Sequence, residues 1–269
     1  MQIKHVAVTG ASSGIGAALV EEFVAAGAAV TMVARRRGEM EKLAARVGGR
    51  TQIFAVDLSD VSRCCDWLAP AASHFGPIDV LINNAGVQRV VPAAEHTDDD
   101  LDAMLNLNLV SPLRLTRAVL PDMLARGSGA IVDVSSMAAF SPVPGMWGYV
   151  ASKAGSGAAS ECLYNELHRT GVHVMTVYPG PVDTPLARTG YSAYPAWAQR
   201  LLLTGDAREL ARRVRAGLEL RQSVIVYPLP YAVSRIFPGL TRLFLRYLSP
   251  PPKSRVVSTP DDAAPPASH

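Results

Sequence analysis

Tyr149 and Lys153 stand four residues apart in the stretch Tyr149-Val150-Ala151-Ser152-Lys153, inside a run that reads as helix. That spacing puts both side chains on one helix face, one turn apart. An ammonium so close to a phenol favours the phenolate. It can draw the tyrosine down from its ordinary value of ~10 toward working pH. The pair could then donate or accept a proton at a carbonyl or alcohol oxygen. Tyr-x-x-x-Lys also occurs by chance on many helices, so its meaning depends on what the rest of the chain supplies.

The elements that must position the pair alternate along the sequence. His5-Val6-Ala7-Val8-Thr9 reads as a short buried strand. Gly10-Ala11-Ser12-Ser13-Gly14-Ile15-Gly16 follows, and then a helical pattern with Leu19, Val20, Phe23 and Val24. Strand, glycine-rich turn and helix is the context of a dinucleotide fingerprint, although the spacing is Gly-x-x-x-Gly-x-Gly. Such a turn lets the backbone approach a pyrophosphate, and the helix start offers N–H groups and the positive end of its dipole. A second strand over residues 28–34 leads into Arg35-Arg36-Arg37 with no acidic residue at its end. Arginine there suits a 2′-phosphate, which favours NADP(H) over NAD(H). Further strands are predicted over 51–56, 78–82, 129–134, 171–178 and 224–227. The third ends in Asp57-Leu58, placed for the adenine edge, and the fourth ends in Asn83-Asn84-Ala85-Gly86. The fifth ends at Ser135-Ser136, and Pro179-Gly180-Pro181 closes the sixth. This pattern predicts an α/β fold, a Rossmann-like doubly wound parallel sheet of about seven strands with helices on both faces. Ligands are expected at the carboxyl ends of the strands.

Composition limits the alternatives. Lysine plus arginine exceeds aspartate plus glutamate by only 26 − 23 = 3, too little to suggest a nucleic-acid partner. The three cysteines, Cys64, Cys65 and Cys162, suggest neither a disulfide nor a metal site. The start of the chain lacks the apolar core of a signal peptide. No uncharged apolar run is long enough to span a bilayer. A cytoplasmic protein is the expectation.

Taken together, these motifs resemble the short-chain dehydrogenase/reductase family in its shorter, single-domain form. The match runs over about residues 4–228. It is carried by the Thr9 to Gly16 turn, Asp57, Asn83-Asn84-Ala85-Gly86, Asn108, Ser136, Tyr149, Lys153 and Pro179-Gly180-Pro181-Val182-Asp183-Thr184. The resemblance implies a catalytic tetrad of Asn108, Ser136, Tyr149 and Lys153. Ser136 is selected over Ser135 because it lies thirteen residues before Tyr149. Ser136 would hold the substrate oxygen near Tyr149, and Tyr149 would exchange the proton. Lys153 would lower the phenol and bind the nicotinamide ribose. Asn108 would bend its helix and hold a relay water. The implied cofactor site comprises Gly10, Ser12, Ser13, Gly14, Ile15, Gly16, Arg35, Arg36, Asp57, Leu58, Asn84, Ala85 and Gly86. It continues through Tyr149, Lys153, Pro179, Gly180, Val182 and Thr184, with Thr184 also a candidate helix cap. Homodimers or homotetramers are usual in the family.

Residues 185–203 are expected to form an apolar substrate lid, with Val143, Met146 and Trp147 on the opposite wall. Such a pocket suits a bulky or lipophilic ketone or alcohol. A helical extension follows over 229–249. Its apolar residues between 231 and 248 follow helical spacing, with Arg235, Arg242 and Arg246 on another face. Packing on the protein or a partner subunit is the expected placement, and a membrane surface is the alternative. Residues 250–269 read as a disordered tail. The predicted activity is NADPH-dependent reduction of a ketone or aldehyde to an alcohol. The alternatives are a catalytically silent NADP(H)-binding regulator and a membrane-associated enzyme acting on lipid-like ketones.

Overall fold

The computed structural model describes residues 3–252 and 256–258. Seven strands form the main sheet: β1 (His5–Thr9), β2 (Ala29–Ala34), β3 (Thr51–Ala55), β4 (Val80–Asn83), β6 (Gly129–Val134), β7 (Val172–Pro179) and β8 (Val224–Tyr227). All their pairings are parallel, in the order β3-β2-β1-β4-β6-β7-β8. The predicted fold and all seven expected strands are present. β1 and β2 are buried along their whole length, as parallel strands covered on both faces should be.

Alternate strand residues feed two separate cores. Val6, Val8, Met32 and Val132 meet α1 (Gly14–Ala25), α2 (Arg37–Val47) and α9 (Ala207–Glu219). Ala7, Val33, Leu81 and Ile131 meet α3 (Leu68–Phe75) and α5 (Ser111–Arg126). The tyrosine helix, α6 (Trp147–Glu166), packs on β7 on the α5 side. From β1 the chain moves outward to β2 and β3, then returns to place β4 on the other side of β1. That reversal opens a crevice beyond the carboxyl ends of β1 and β4, where open α/β sheets bind ligands.

α4 (Asp98–Leu105) runs into α5 through one π-helical turn, Asn106–Val110. Pro112 supplies the cause: it has no N–H to donate to the carbonyl four residues back, which belongs to Asn108. The segment expected as the lid holds α7 (Pro185–Ser192) and α8 (Ala196–Arg200), and the C-terminal extension holds α10 (Ala232–Ile236) and α11 (Pro238–Leu248).

One element was not expected. β5 (Gln88–Val90) pairs antiparallel with β9 (Val256–Ser258). The expectation of a disordered tail is therefore corrected at 256–258; its remainder at 253–255 and 259–269 lies outside the described residues. β5 directly follows the Asn83 to Gly86 turn, so this ribbon frames one side of the crevice.

Candidate active site

The carboxyl ends of β1, β4, β6 and β7 surround a cavity of about 210 Å³. Gly10, Ser13, Gly14, Ile15, Asn84, Ala85 and Gly86 line one end, and Ser136, Tyr149 and Lys153 line the middle. Pro179, Gly180, Val182 and Thr184 line a further wall. A smaller cavity of about 40 Å³ adjoins it, lined by Ser12, Arg35, Arg36, Asp57 and Leu58 and sharing Gly10, Ala85 and Gly86.

The glycine turn is shaped by close approach. Gly10 has φ +67°, and a Cβ there would meet the Ala85 Cα at 2.8 Å. A Cβ on Gly16 would strike the Gly10 carbonyl and lie 2.6 Å from Asn84 Nδ2. Gly16 itself lines neither cavity; it lies beneath the turn and lets it close, which corrects its expected place among cofactor contacts. Asn84 lines the cavity but uses its amide as a brace. Asn84 Nδ2 donates to the Thr9 carbonyl (2.9 Å) and the Gly10 carbonyl (3.4 Å). The Thr9 hydroxyl accepts from the N–H groups of Asn84 and Ala85 at 2.9 and 3.1 Å and donates to the Ile82 carbonyl. These bonds tie the ends of β1 and β4 together across the crevice.

Ser13 occupies the N-cap position of α1, yet its side chain makes no capping bond. Its hydroxyl accepts from Arg36 Nη2 at 2.8 Å, and the same nitrogen donates to Ser12 Oγ at 2.9 Å. Uncapped first-turn N–H groups at a glycine-rich helix start, with a guanidinium laid over the preceding serines, suit an anionic phosphate. Asp57 Oδ1 accepts from the Ser59 N–H and hydroxyl, which sets the turn after β3 beside the smaller cavity. The residues present therefore fit a dinucleotide with a phosphorylated adenosine end.

The two serines after β6 part company. Ser135 Oγ donates to the Lys153 carbonyl at 2.7 Å and so anchors α6. Ser136 Oγ accepts from Ala138 N at 3.1 Å and lines the same cavity as the Tyr149 phenol. Burial pushes that phenol above its usual value, and Ser136 works the other way. Lys153 lines the same cavity as Tyr149. Its Nζ donates to the Val134 carbonyl at 2.8 Å. Burial brings Lys153 down to about 8, opposed by the charge of Asp133. Asp133, buried on β6, accepts from Asn83 Nδ2 at 2.8 Å. Burial raises its carboxyl, while Asn83, Ser160 and Lys153 pull it back.

Asn108 sits in the π-helical turn, 1% exposed, and lines neither cavity. Its Oδ1 accepts from Val87 N at 2.9 Å, and its Nδ2 donates to the Val87 carbonyl (2.9 Å) and Ser152 Oγ (3.0 Å). Ser152 Oγ in turn donates to the Tyr149 carbonyl at 2.8 Å. The Asn108 side chain thus fastens the Tyr149 helix to Val87, just after the Gly86 turn.

Val143 and Met146 line the cavity as expected. Trp147 does not: it is 46% exposed at the start of α6, with its ring edge-on to His96, and this corrects its expected substrate contact. From the lid, Leu186, Tyr191 and Leu202 face the cavity, while Trp197, Leu201 and Leu203 are turned to solvent. Thr184 Oγ1 accepts from Ala187 N at 3.2 Å and caps α7 while lining the cavity. Two lining residues carried no sequence signal. Gln88 donates from Nε2 to Met146 Sδ at 3.3 Å and lies against the backbone of Gly190. Tyr231 covers Gly180, where a Cβ would meet its ring at 2.8 Å. Both reach the site through long-range packing.

Comparison with known proteins agrees with this geometry. A family model described as short chain dehydrogenase matches residues 4–194. A short chain dehydrogenase of Pseudocercospora fijiensis is 38% identical over 192 residues, 69% of this chain and 62% of that protein's length. A fatty acyl-CoA reductase of Mycobacterium tuberculosis is 37% identical over 201 residues, 72% of this chain and 68% of the relative. The solved structure of a Sphingobium yanoikuyae short-chain dehydrogenase in complex with NADPH superposes with a TM-score of 0.77 at 29% identity, covering 92% of this chain and 96% of that one. The chain belongs to the short chain dehydrogenase family and is an oxidoreductase of that type.

Proposed function

We propose that this protein is an NADPH-dependent carbonyl reductase, reversible as an alcohol dehydrogenase, that acts on a bulky, lipophilic ketone or aldehyde. The observation that carries the reading is the convergence of Ser136, Tyr149 and Lys153 in the same cavity as the glycine turn. NADPH, when bound, supplies the hydride.

The chain's own residues do the rest. Ser136 donates to the carbonyl oxygen of the substrate and holds it against the phenol. Tyr149 is protonated at neutral pH because burial outweighs its other influences, and that is the state a proton donor to a developing alkoxide needs. Lys153, charged below about 8, would hold the ribose hydroxyls of the nicotinamide and sets a positive field beside the developing oxyanion. Asn108 positions Tyr149 through Ser152. The Asn108 carbonyl, which Pro112 cannot serve, is where a relay water would donate a bond. Arg35 and Arg36 take the 2′-phosphate, with Arg36 pre-oriented on Ser12 and Ser13. The likeness to an NADPH complex supports the cofactor. The apolar wall formed by Val143, Met146, Leu186 and Leu202 supports the substrate class, as does a relative named as a fatty acyl-CoA reductase.

NADPH consumption over a panel of ketones and long-chain aldehydes tests the reading. Tyr149→Phe should lose at least ~100-fold in kcat while NADPH affinity is kept. A wild-type protein that binds NADPH and turns over no carbonyl would identify a silent nucleotide-binding regulator instead.

A further inference from the structure

Helix α11 turns its apolar side outward. Leu240, Leu243, Phe244, Tyr247 and Leu248 are 55–72% exposed. At helical spacing they form one stripe, while Thr241 and Leu245 are half-buried on the protein side. Arg242 and Arg246 are exposed on the remaining side, flanking the stripe. The exposed apolar surface continues back along α10 through Val233, Ile236 and Phe237. Arg235 clamps α10 to the body: its Nη2 donates to Glu161 at 2.9 Å, and its guanidinium lies over the rings of Phe140 and Tyr178. The segment is therefore held to the body at α10. It ends at the cavity, because Tyr231 lines the cavity and its hydroxyl accepts from the N–H of Leu203 on the lid.

Charge identifies the occupant. Between residues 220 and 260 the chain carries six basic residues and no acidic one. A second copy docked face to face would bring arginine stripes toward each other, with no carboxylate on the segment to pair them. An anionic lipid surface supplies both things this face lacks, an apolar layer and negative charge. No helix among the described residues is long and apolar enough to cross a membrane, so the segment would lie in the plane of the interface.

We infer that residues 229–248 dock on an anionic lipid bilayer, with the α11 stripe at the boundary between headgroups and acyl chains and Arg242 and Arg246 on the lipid phosphates. Docking would point the cavity mouth at the lipid, so that a membrane-borne carbonyl could enter without crossing water. Only this delivery rests on the proposed activity; the docking does not.

Co-sedimentation of the full chain with vesicles tests it, using phosphatidylcholine alone and phosphatidylcholine mixed with phosphatidylglycerol. Binding is expected to the mixed vesicles and to weaken with salt. Arg242→Glu with Arg246→Glu should lower partitioning by about 30-fold or more. Phe244→Asp should lower it comparably; its position on the solvent side leaves the fold intact, as circular dichroism would verify. Wild type remaining in the supernatant with mixed vesicles would overturn the inference. So would vesicle binding unchanged in these variants. Light scattering that shows Phe244→Asp breaking a wild-type oligomer, without loss of vesicle binding, would assign the face to a second copy.

Discussion

Lys153 is held in the cavity wall at a cost to folding, and that cost should be visible against pH. Burial takes the lysine from 10.5 to about 8. At 1.36 kcal/mol per tenfold change in proton affinity, the difference is about 3 kcal/mol. Below pH 8 the side chain is protonated in both folded and unfolded chains, and the whole penalty applies. Between about 8 and 10.5 the unfolded chain keeps a proton that the folded one has released. Stability therefore rises with pH across that window and gains nothing more above it. Lys153→Met keeps most of the apolar stem and removes the ammonium. Losing the bond to the Val134 carbonyl shifts the variant's stability as a whole but not its slope above pH 8. The measurement is urea unfolding of both proteins at several pH values from 7 to 10, read as free energy by linear extrapolation. Wild type should gain on the variant by about 2–3 kcal/mol over that range. Parallel curves would show that Lys153 is not desolvated as described, and would remove the basis for a charge that titrates near working pH.

Three further outcomes follow from the same geometry. Asp133→Asn removes the carboxylate that supports the Lys153 charge, so the alkaline fall in reductive kcat, expected as Lys153 deprotonates, should move to lower pH; an unmoved limb would mean that Asp133 does not act on Lys153. Gly16→Ala places a methyl against the Gly10 carbonyl and Asn84, and should cost about 1–3 kcal/mol in urea unfolding and weaken NADPH binding measured by fluorescence titration. Gly38→Ala, in a helix position with nothing within 4 Å, is the control and should be neutral or stabilising by up to about 1 kcal/mol. Asn108→Ala strips three bonds from Val87 and Ser152 and should destabilise by about 3 kcal/mol, seen in the urea midpoint, with kcat falling more than NADPH affinity.

Much of this protein was legible from local pattern. Apolar runs bounded by glycine, proline or asparagine identified all seven strands of the main sheet, because buried parallel strands are written as continuous apolar sequence. Strand-helix alternation fixed the parallel winding, and the winding put every strand-end motif at one edge. Tyr149 and Lys153 could be singled out by their four-residue helical spacing, and Ser136 through the family resemblance, which places the serine thirteen residues before the tyrosine.

What the tertiary structure decided depended on direction and on distant partners. Trp147 and Met146 are neighbours with similar apolar character, yet the first turn of α6 sends one to solvent and the other into the cavity. Asn108 could be recognised by its motif, but its commitment to Val87 and Ser152 required three segments to meet. Arg36 lies across Ser12 and Ser13 because β1 and β2 are adjacent, a register that no window of sequence contains. Gln88 and Tyr231 reach the cavity through packing with residues about 100 and 50 positions away, Gly190 and Gly180. Spacing along a helix predicts that Tyr149 and Lys153 are neighbours, but only the folded interior supplies the burial that raises the phenol and lowers the lysine.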